Sequence, residues 1–133
     1  MPFMIDSCVY IDVFTQDKVW FSWSLDALEN AAVSTNVIIN PVIFSEISGR
    51  FKQIEDIDSR LPPNIFLYHP IPKEAAFLAG KCFLKYRKQG GTRTVTLPDF
   101  FIGAHAAVAN VPLITRDPKR FRHYFPELKI IAP

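Results

Sequence analysis

Five short apolar runs recur along this chain, each too short to span more than a thin sheet, and helix-patterned segments separate them. They are Phe3-Met4-Ile5, Val37-Ile38-Ile39, Ile65-Phe66-Leu67-Tyr68, Leu113-Ile114-Thr115 and Lys129-Ile130-Ile131. Such runs read as buried strands. Between them lie helical patterns: Ser7 to Ile11, a helix after Asp17, a helix launched by Asn40-Pro41 and stopped by Gly49, and a helix from Pro72 to Gln89. Strands alternating with helices over short connections require a mostly parallel sheet covered on both faces. The expected fold is therefore α/β, a three-layer α/β/α sandwich with about five strands, in a single domain over residues 1–133.

The helices carry readable faces. After Asp17, Phe21, Leu25, Leu28 and Ala32 are spaced by four, three and four, which predicts one core stripe. Asn40 supplies an N-cap and Pro41 the first helical position. Residues 50–60 are polar and helical in part, and Pro62-Pro63 breaks them. In the segment 72–89, Ala75, Leu78, Ala79, Cys82, Phe83 and Tyr86 form one stripe, ended by Gly90-Gly91. Phe77 and Leu84 lie off that stripe, one heptad apart, and suit a neighbouring element or an interface. The segment Phe100 to Asn110 is apolar on nearly every face and so belongs at the centre.

Composition narrows the class. The chain is 49% hydrophobic and 21% charged, as globular proteins are. No apolar run approaches the ~20 residues of a membrane span, and no basic leader opens the chain, so the expected location is the cytoplasm. Cys8 and Cys82 read as two reduced core thiols, and no Cys or His recurs at zinc-ligand spacing. The net charge of +2 conceals a division. Residues 1–58 hold nine acids and three bases, a balance of −6, whereas residues 59–133 hold four acids and twelve bases, a balance of +8. The bases cluster at Lys81, Lys85, Arg87, Lys88 and Arg93, and again at Arg116, Lys119, Arg120 and Arg122. Acidic and basic regions side by side suit a polyanion held over metal ions; solvated basic helix faces are the plainer account.

Four acids stand in apolar surroundings: Asp6 after Phe3-Met4-Ile5, Glu46 within Val42-Ile43-Phe44-Ser45-Glu46-Ile47, Asp99 before Phe100-Phe101-Ile102, and Asp117 after Leu113-Ile114-Thr115. Acids in such places are costly to desolvate without compensation. Plainer roles exist for three of them. Asp6 can cap the first helix, Asp99 can complete a capping box begun by Thr96, and Asp117 can cap the Pro118-Lys119-Arg120 turn. Glu46 lies too far into its helix to cap it, and a buried ion pair with Arg116 or Arg93 is its alternative. If the four meet, they form a pocket whose mutual repulsion calls for a cation. Hard oxygen donors without thiolate or imidazole select Mg²⁺ or Mn²⁺, and such sites cleave phosphodiesters. Ser7 and Thr115 place hydroxyls beside the acids. Ligands of open parallel sheets bind beyond the carboxyl ends of the strands, which suits Asp6 and Asp117. Asp99 is entered from a long loop whose path the sequence does not show.

Taken together, Ile5-Asp6-Ser7, Glu46 in its apolar helix, Leu97-Pro98-Asp99-Phe100-Phe101-Ile102-Gly103-Ala104 and Leu113-Ile114-Thr115-Arg116-Asp117 resemble a PIN domain, and more narrowly the VapC-type toxins. The resemblance spans essentially the whole chain. It implies a Mg²⁺- or Mn²⁺-dependent endoribonuclease, the toxin of a type II toxin–antitoxin pair. Carried over by position, Asp6, Glu46, Asp99 and Asp117 are the acidic quartet, with Asp6 and Asp99 the main metal ligands and Glu46 and Asp117 binding or polarising water. Ser7 and Thr115 support them, and Arg116, Lys119 and Arg93 contact RNA. A homodimer and a small antitoxin partner are also implied. His105 departs from the small or hydroxyl residue common there and reads as packing or interface. The competing readings are an inactive PIN-like module that binds RNA or protein, and a phosphotransfer enzyme with Asp6 as nucleophile. The last is disfavoured by Cys8, where a second Asp is expected.

Overall fold

A computed structural model describes all of residues 1–133. The elements run β1 (Phe3–Ile5), α1 (Ser7–Phe14), α2 (Phe21–Ser34), β2 (Val37–Ile39), α3 (Pro41–Ser48), α4 (Ile54–Arg60), β3 (Phe66–Tyr68), α5 (Lys73–Lys88), α6 (Pro98–Ala109), β4 (Leu113–Ile114), α7 (Lys119–Tyr124) and β5 (Ile130–Ile131). The five apolar runs are the five strands. They form one sheet in the order β3-β2-β1-β4-β5, and every pairing is parallel. Helices cover both faces, giving the three-layer α/β/α arrangement. The core is one cluster of 27 buried residues, centred on Met4, Ile5, Val37, Leu113 and Ile114 of the strands. No helix is long and apolar enough to cross a membrane.

The strand order places β1 at the middle. The chain builds β1, β2 and β3 outward on one side, then returns to lay β4 on the other side of β1. The order therefore reverses between β1 and β4, and the crevice beyond their carboxyl ends is where open α/β sheets bind ligands. Ile5 pairs with Ile114, so the next residues of both strands, Asp6 and Thr115, emerge side by side at that point.

Local chemistry explains a few element ends. Asn40 caps α3 through Oδ1, which accepts from the Ile43 N–H at 2.9 Å, and Pro41 opens the helix. Asn110 closes α6 in the left-handed region, φ 55°, which Asn tolerates better than most residues. Gly103 of α6 lies against the Phe125 ring with no room for a Cβ, which seats the end of α7 on α6.

Several expectations need correction. The buried face of α2 is Ser24, Leu28 and Ala31, not the Phe21, Leu25, Leu28 and Ala32 stripe. The face is rotated because the Ser24 hydroxyl donates to the buried Asp12 carboxylate at 2.8 Å. Asp17 accepts from the N–H groups of Val19 and Trp20 and so braces the turn ahead of α2, while Trp20 holds the cap position. The central helix begins at Pro98, two residues before Phe100. The long connection into it is a local return: Tyr86 near the end of α5 packs on Phe100 with ring centroids 5.8 Å apart. Tyr86 also accepts the Thr92 and Arg93 N–H groups at its hydroxyl. The α5 stripe is as expected, with Ala75, Ala79 and Cys82 buried, and Phe77 and Leu84 stand exposed off it. Both cysteines are free, Cys82 buried and Cys8 half-buried.

Candidate active site

Asp6 occupies the cap position of α1 yet caps nothing. Its carboxylate is turned into the crevice, 5% exposed. Oδ2 accepts from the Thr115 hydroxyl at 2.8 Å and lies 3.4 Å from the Cys8 thiol; Oδ1 lies 3.5 Å from Ser7 Oγ. Burial is the main force on this acid, and the charges of Asp99 and Glu46 add to it. Together they raise its pKa to about 6, against the opposing hydrogen bonds of Thr115 and Cys8. The same burial, with the Asp6 charge beside it, pushes the Cys8 thiol up to about 12. Cys8 is thus a protonated donor and not a thiolate ligand.

Glu46 sits six residues into the α3 helix on its exposed side. The alternative open to it, an ion pair with Arg116 or Arg93, does not form. Oε1 instead accepts from the Ser7 hydroxyl at 2.9 Å. Desolvation raises the Glu46 pKa, Ser7 lowers it, and the charge of Asp99 raises it. Ser7 therefore bridges Asp6 and Glu46, one from each of two adjoining elements.

Asp99 is the second residue of α6, where Leu97 holds the cap position and no side chain caps, so the capping box from Thr96 does not form. Its side chain is 35% exposed and accepts from Arg120 Nη1 at 3.4 Å. Burial raises its pKa, Arg120 lowers it and Asp117 raises it. Asp99 raises the Asp6 pKa and is itself raised by Asp117, so the start of α6 stands near the residues that follow β1 and β4.

Asp117 does not cap α7 either. Its backbone N–H donates to Thr115 Oγ1 at 3.1 Å and its Oδ2 accepts from Arg116 Nη1 at 3.0 Å, with the side chain 71% exposed. Thr115, fully buried, is the hinge of the site: one hydroxyl donates to the Asp6 carboxylate and accepts from the Asp117 backbone. The charge of Asp99 thus acts on both Asp6 and Glu46, and Asp117 acts in turn on Asp99. As their side chains stand, no three acids, histidines or cysteines are gathered closely enough to hold an ion. Asp99 and Asp117 are drawn outward by Arg120 and Arg116.

Of the three cations expected to contact RNA, Lys119 is exposed and lines an open groove of about 990 Å³ that also contains Asp99, Asp117, Arg120 and Arg122. Arg93 is exposed on the loop before α6. Arg116 is committed inward: its Nε donates to Asp12 at 2.7 Å, and its guanidinium lies 5.8 Å from the Trp20 ring centroid. Asp12, 2% exposed, was not anticipated. It is flanked by Ile11 and Val13, so the criterion that marks Asp6 marks it too. Two buried polar groups bear on the helices of the site. Asn40 Nδ2 donates to His105 Nδ1 at 3.2 Å, joining the cap of α3 to α6. Burial lowers the His105 pKa, with His69 adding to it. A neutral ring packed at 2% exposure fits the packing role expected of it. Tyr10, fully buried, has the one buried side-chain polar atom without a partner.

The family model for the PIN domain matches residues 3–125. The chain belongs to the PIN domain family. Among solved structures, this PIN domain resembles VapBC2 from Rickettsia felis bound to a promoter DNA fragment, at 18% identity and a TM-score of 0.72. The match covers 100% of this chain and 99% of that one. VapBC-1 from nontypeable Haemophilus influenzae gives 19% identity, coverage of 99% and 98%, and a TM-score of 0.72. A toxin–antitoxin complex from Klebsiella pneumoniae gives 22% identity, coverage of 98% and 96%, and a TM-score of 0.69. At these identities the likeness is one of fold. No curated protein sequence matches the chain significantly.

Proposed function

We propose that this PIN domain is a divalent-metal-dependent endoribonuclease and the toxin of a type II toxin–antitoxin pair. The observation that carries the reading is the placement of Asp6: a nearly buried carboxyl just past β1, beside β4, held by Thr115 at 2.8 Å next to the Ser7–Glu46 pair, where burial and the charges of Asp99 and Glu46 raise its pKa. The pocket has a deficit of positive charge at its deepest point. The donor set fits Mg²⁺ or Mn²⁺, since every acid offers hard oxygen and the neighbouring thiol is held protonated. Asp6 and Asp99 would hold the ion, with Asp117 and Glu46 at its margin. Bound there, the ion would neutralise the pocket and act as Lewis acid on a phosphodiester.

The remaining chemistry belongs to the chain. Thr115 fixes which Asp6 oxygen is occupied, leaving Oδ1 facing Ser7. Ser7 orients Glu46 through Oε1, which leaves Oε2 to accept a proton from the attacking water, and the raised Glu46 pKa suits that role. Asp99 now accepts from Arg120; were it to hold an ion instead, that guanidinium would be free to pair with a phosphate of the substrate. The fold neighbours described as VapBC or toxin–antitoxin complexes support an antitoxin partner. The exposed Phe77 and Leu84 on α5 support a homodimer.

Incubation of purified protein with RNA and Mn²⁺ or Mg²⁺ tests the reading. Cleavage should stop with EDTA. Asp6→Asn and Asp99→Asn should each lower it more than about a hundredfold, as loss of several kcal/mol of charge stabilisation requires. Activity that survives both substitutions sinks the assignment. One observation favours the inactive module as second reading: Arg116 and Arg120 already pair with two of the acids. Calorimetry that finds no Mn²⁺ binding would decide for it.

A further inference from the structure

Beyond the pocket, the cations of the second half of the chain are not scattered. The last turn of α5 exposes Lys85, Arg87 and Lys88, and α7 exposes Lys119 and Arg122. None of the five has a carboxylate within salt-bridge distance; the chain's three ion pairs all involve Arg116 or Arg120. The two helices are fastened to each other. Gln89 Oε1 accepts from the Tyr124 hydroxyl at 3.3 Å and lies 3.2 Å from His123 Nε2, and Lys85 Nζ stands 5.7 Å from the Tyr124 ring centroid. The groove that starts at Asp99 and Asp117 runs directly onto α7. Acid pocket and basic ridge are therefore one continuous surface. The opposite flank lacks such an excess: around α4, which shares a small cleft with α3 through Ile57 and Phe44, residues 50–60 expose Glu55, Asp56 and Asp58 against Arg50, Lys52 and Arg60, a balance of zero.

We propose that the α7–α5 ridge is the docking track for single-stranded RNA on one side of the bond to be cut, with the other flank, neutral overall, offering the strand no comparable attraction. The proposal rests on the ribonuclease reading for what happens in the pocket, but it concerns binding alone. A phosphodiester chain that presents one phosphate to the pocket carries its next phosphates over cations that no carboxylate neutralises, although Arg87 also donates to the Gly91 and Arg93 carbonyls, and releasing counterions there drives binding. The exposed His123 ring among those cations suits stacking by an unpaired base. Because the charge is one-sided, the track sets the direction in which the strand lies.

Fluorescence anisotropy with a labelled single-stranded dodecaribonucleotide in EDTA, over a series of salt concentrations, reads binding without cleavage. The double variant Lys85→Glu/Lys88→Glu should bind at least tenfold more weakly. Its dependence of log K on log salt should be shallower by about 1.4, some 0.7 for each lost phosphate contact. The control Lys52→Glu/Lys73→Glu makes the same change in net charge. Lys73 lies at the far end of α5, about 18 Å from Lys85 and about 22 Å from Lys88 by helical rise, and this control, which gives up no phosphate contact, should stay within about twofold of wild type. Equal losses in both pairs would overturn the track in favour of bulk charge. A poly-glutamate peptide that binds as tightly and is lost in the same variant would overturn it in favour of an acidic protein. Wild type that cleaves with Mn²⁺ but does not bind in EDTA refutes the track and leaves the nuclease reading standing. Ridge-dependent binding without cleavage under any ion does the reverse.

Discussion

Asp6 pays for its position in the crevice with an unfavourable charge, and the consequence is a pH-dependent stability. Its folded pKa of about 6 lies above the ordinary value of 3.8. Between those values the folded chain holds the proton and the unfolded chain does not, so stability falls as pH rises from about 4 through about 6. Glu46 and Asp99 are raised as well and act in the same direction. For Asp6 alone the loss is on the order of 3 kcal/mol. Urea denaturation in EDTA between pH 4.5 and 8 should show this decline in wild type. Asp6→Asn should flatten it and be the more stable protein above pH 6; a variant with the wild-type slope would contradict the account. At this scale the sequence shows a great deal. An acid closing an apolar run identifies Asp6, and position within the helix rules out capping for Glu46. What it does not show is which bonds replace the caps. Arg116 is 104 residues from Asp12, and no local pattern tells that it spends its charge there and not on Glu46.

Between residues and the whole stand the helices that carry the acids. Asn40 caps α3, the helix of Glu46, and donates to His105 on α6, the helix of Asp99. One buried amide thereby ties together two of the elements that form the pocket. Asn40→Ala removes the cap, at about 1 kcal/mol, and leaves the His105 ring nitrogen unpaired, at about 1–3 kcal/mol. Asn40→Ser keeps a cap but not the second bond, so its loss should fall between the two. Chemical denaturation of both variants checks the order, and Ala and Ser variants as stable as wild type would refute it. The cap is visible in Asn40-Pro41, and the packing role of His105 follows from its apolar helix. Their pairing is not visible, because the partners are 65 residues apart. The rotated face of α2 escaped for a related reason. Apolar spacing has no place for a serine that turns inward to satisfy a buried acid.

Across the whole molecule, alternation of strand and helix is enough to expect a parallel sheet, whereas strand order depends on which crossovers close without conflict. The site owes its location to that order, since β1 and β4 meet only because the chain reverses there. A bound ion should feed back on the entire fold. At a hundred times its dissociation constant, Mn²⁺ should stabilise the chain by about 2.7 kcal/mol, and chelation should reverse this. The gain should be smaller at pH 5 than at pH 8, because protons compete for Asp6. Thermal melts with and without EDTA at the two pH values measure it. A melt that ignores Mn²⁺ at both would remove the metal site.

The brevity of β4 has a consequence for chain length. Only Leu113 and Ile114 form the strand, and Thr115, next in line, meets Asp6 because of that register. Side chains alternate with a period of two, so sliding the strand by a single residue turns its inward set outward. One residue inserted between Val111 and Thr115 would bring a different side chain against Asp6 and carry Asp117 away with it. The return loop is different beyond its bonds to Tyr86: Thr94 and Val95 are exposed, and lengthening a surface loop costs little. An insertion scan should find growth tolerated there and refused beside β4. Relatives that differ in length are expected to have gained or lost their residues in that loop.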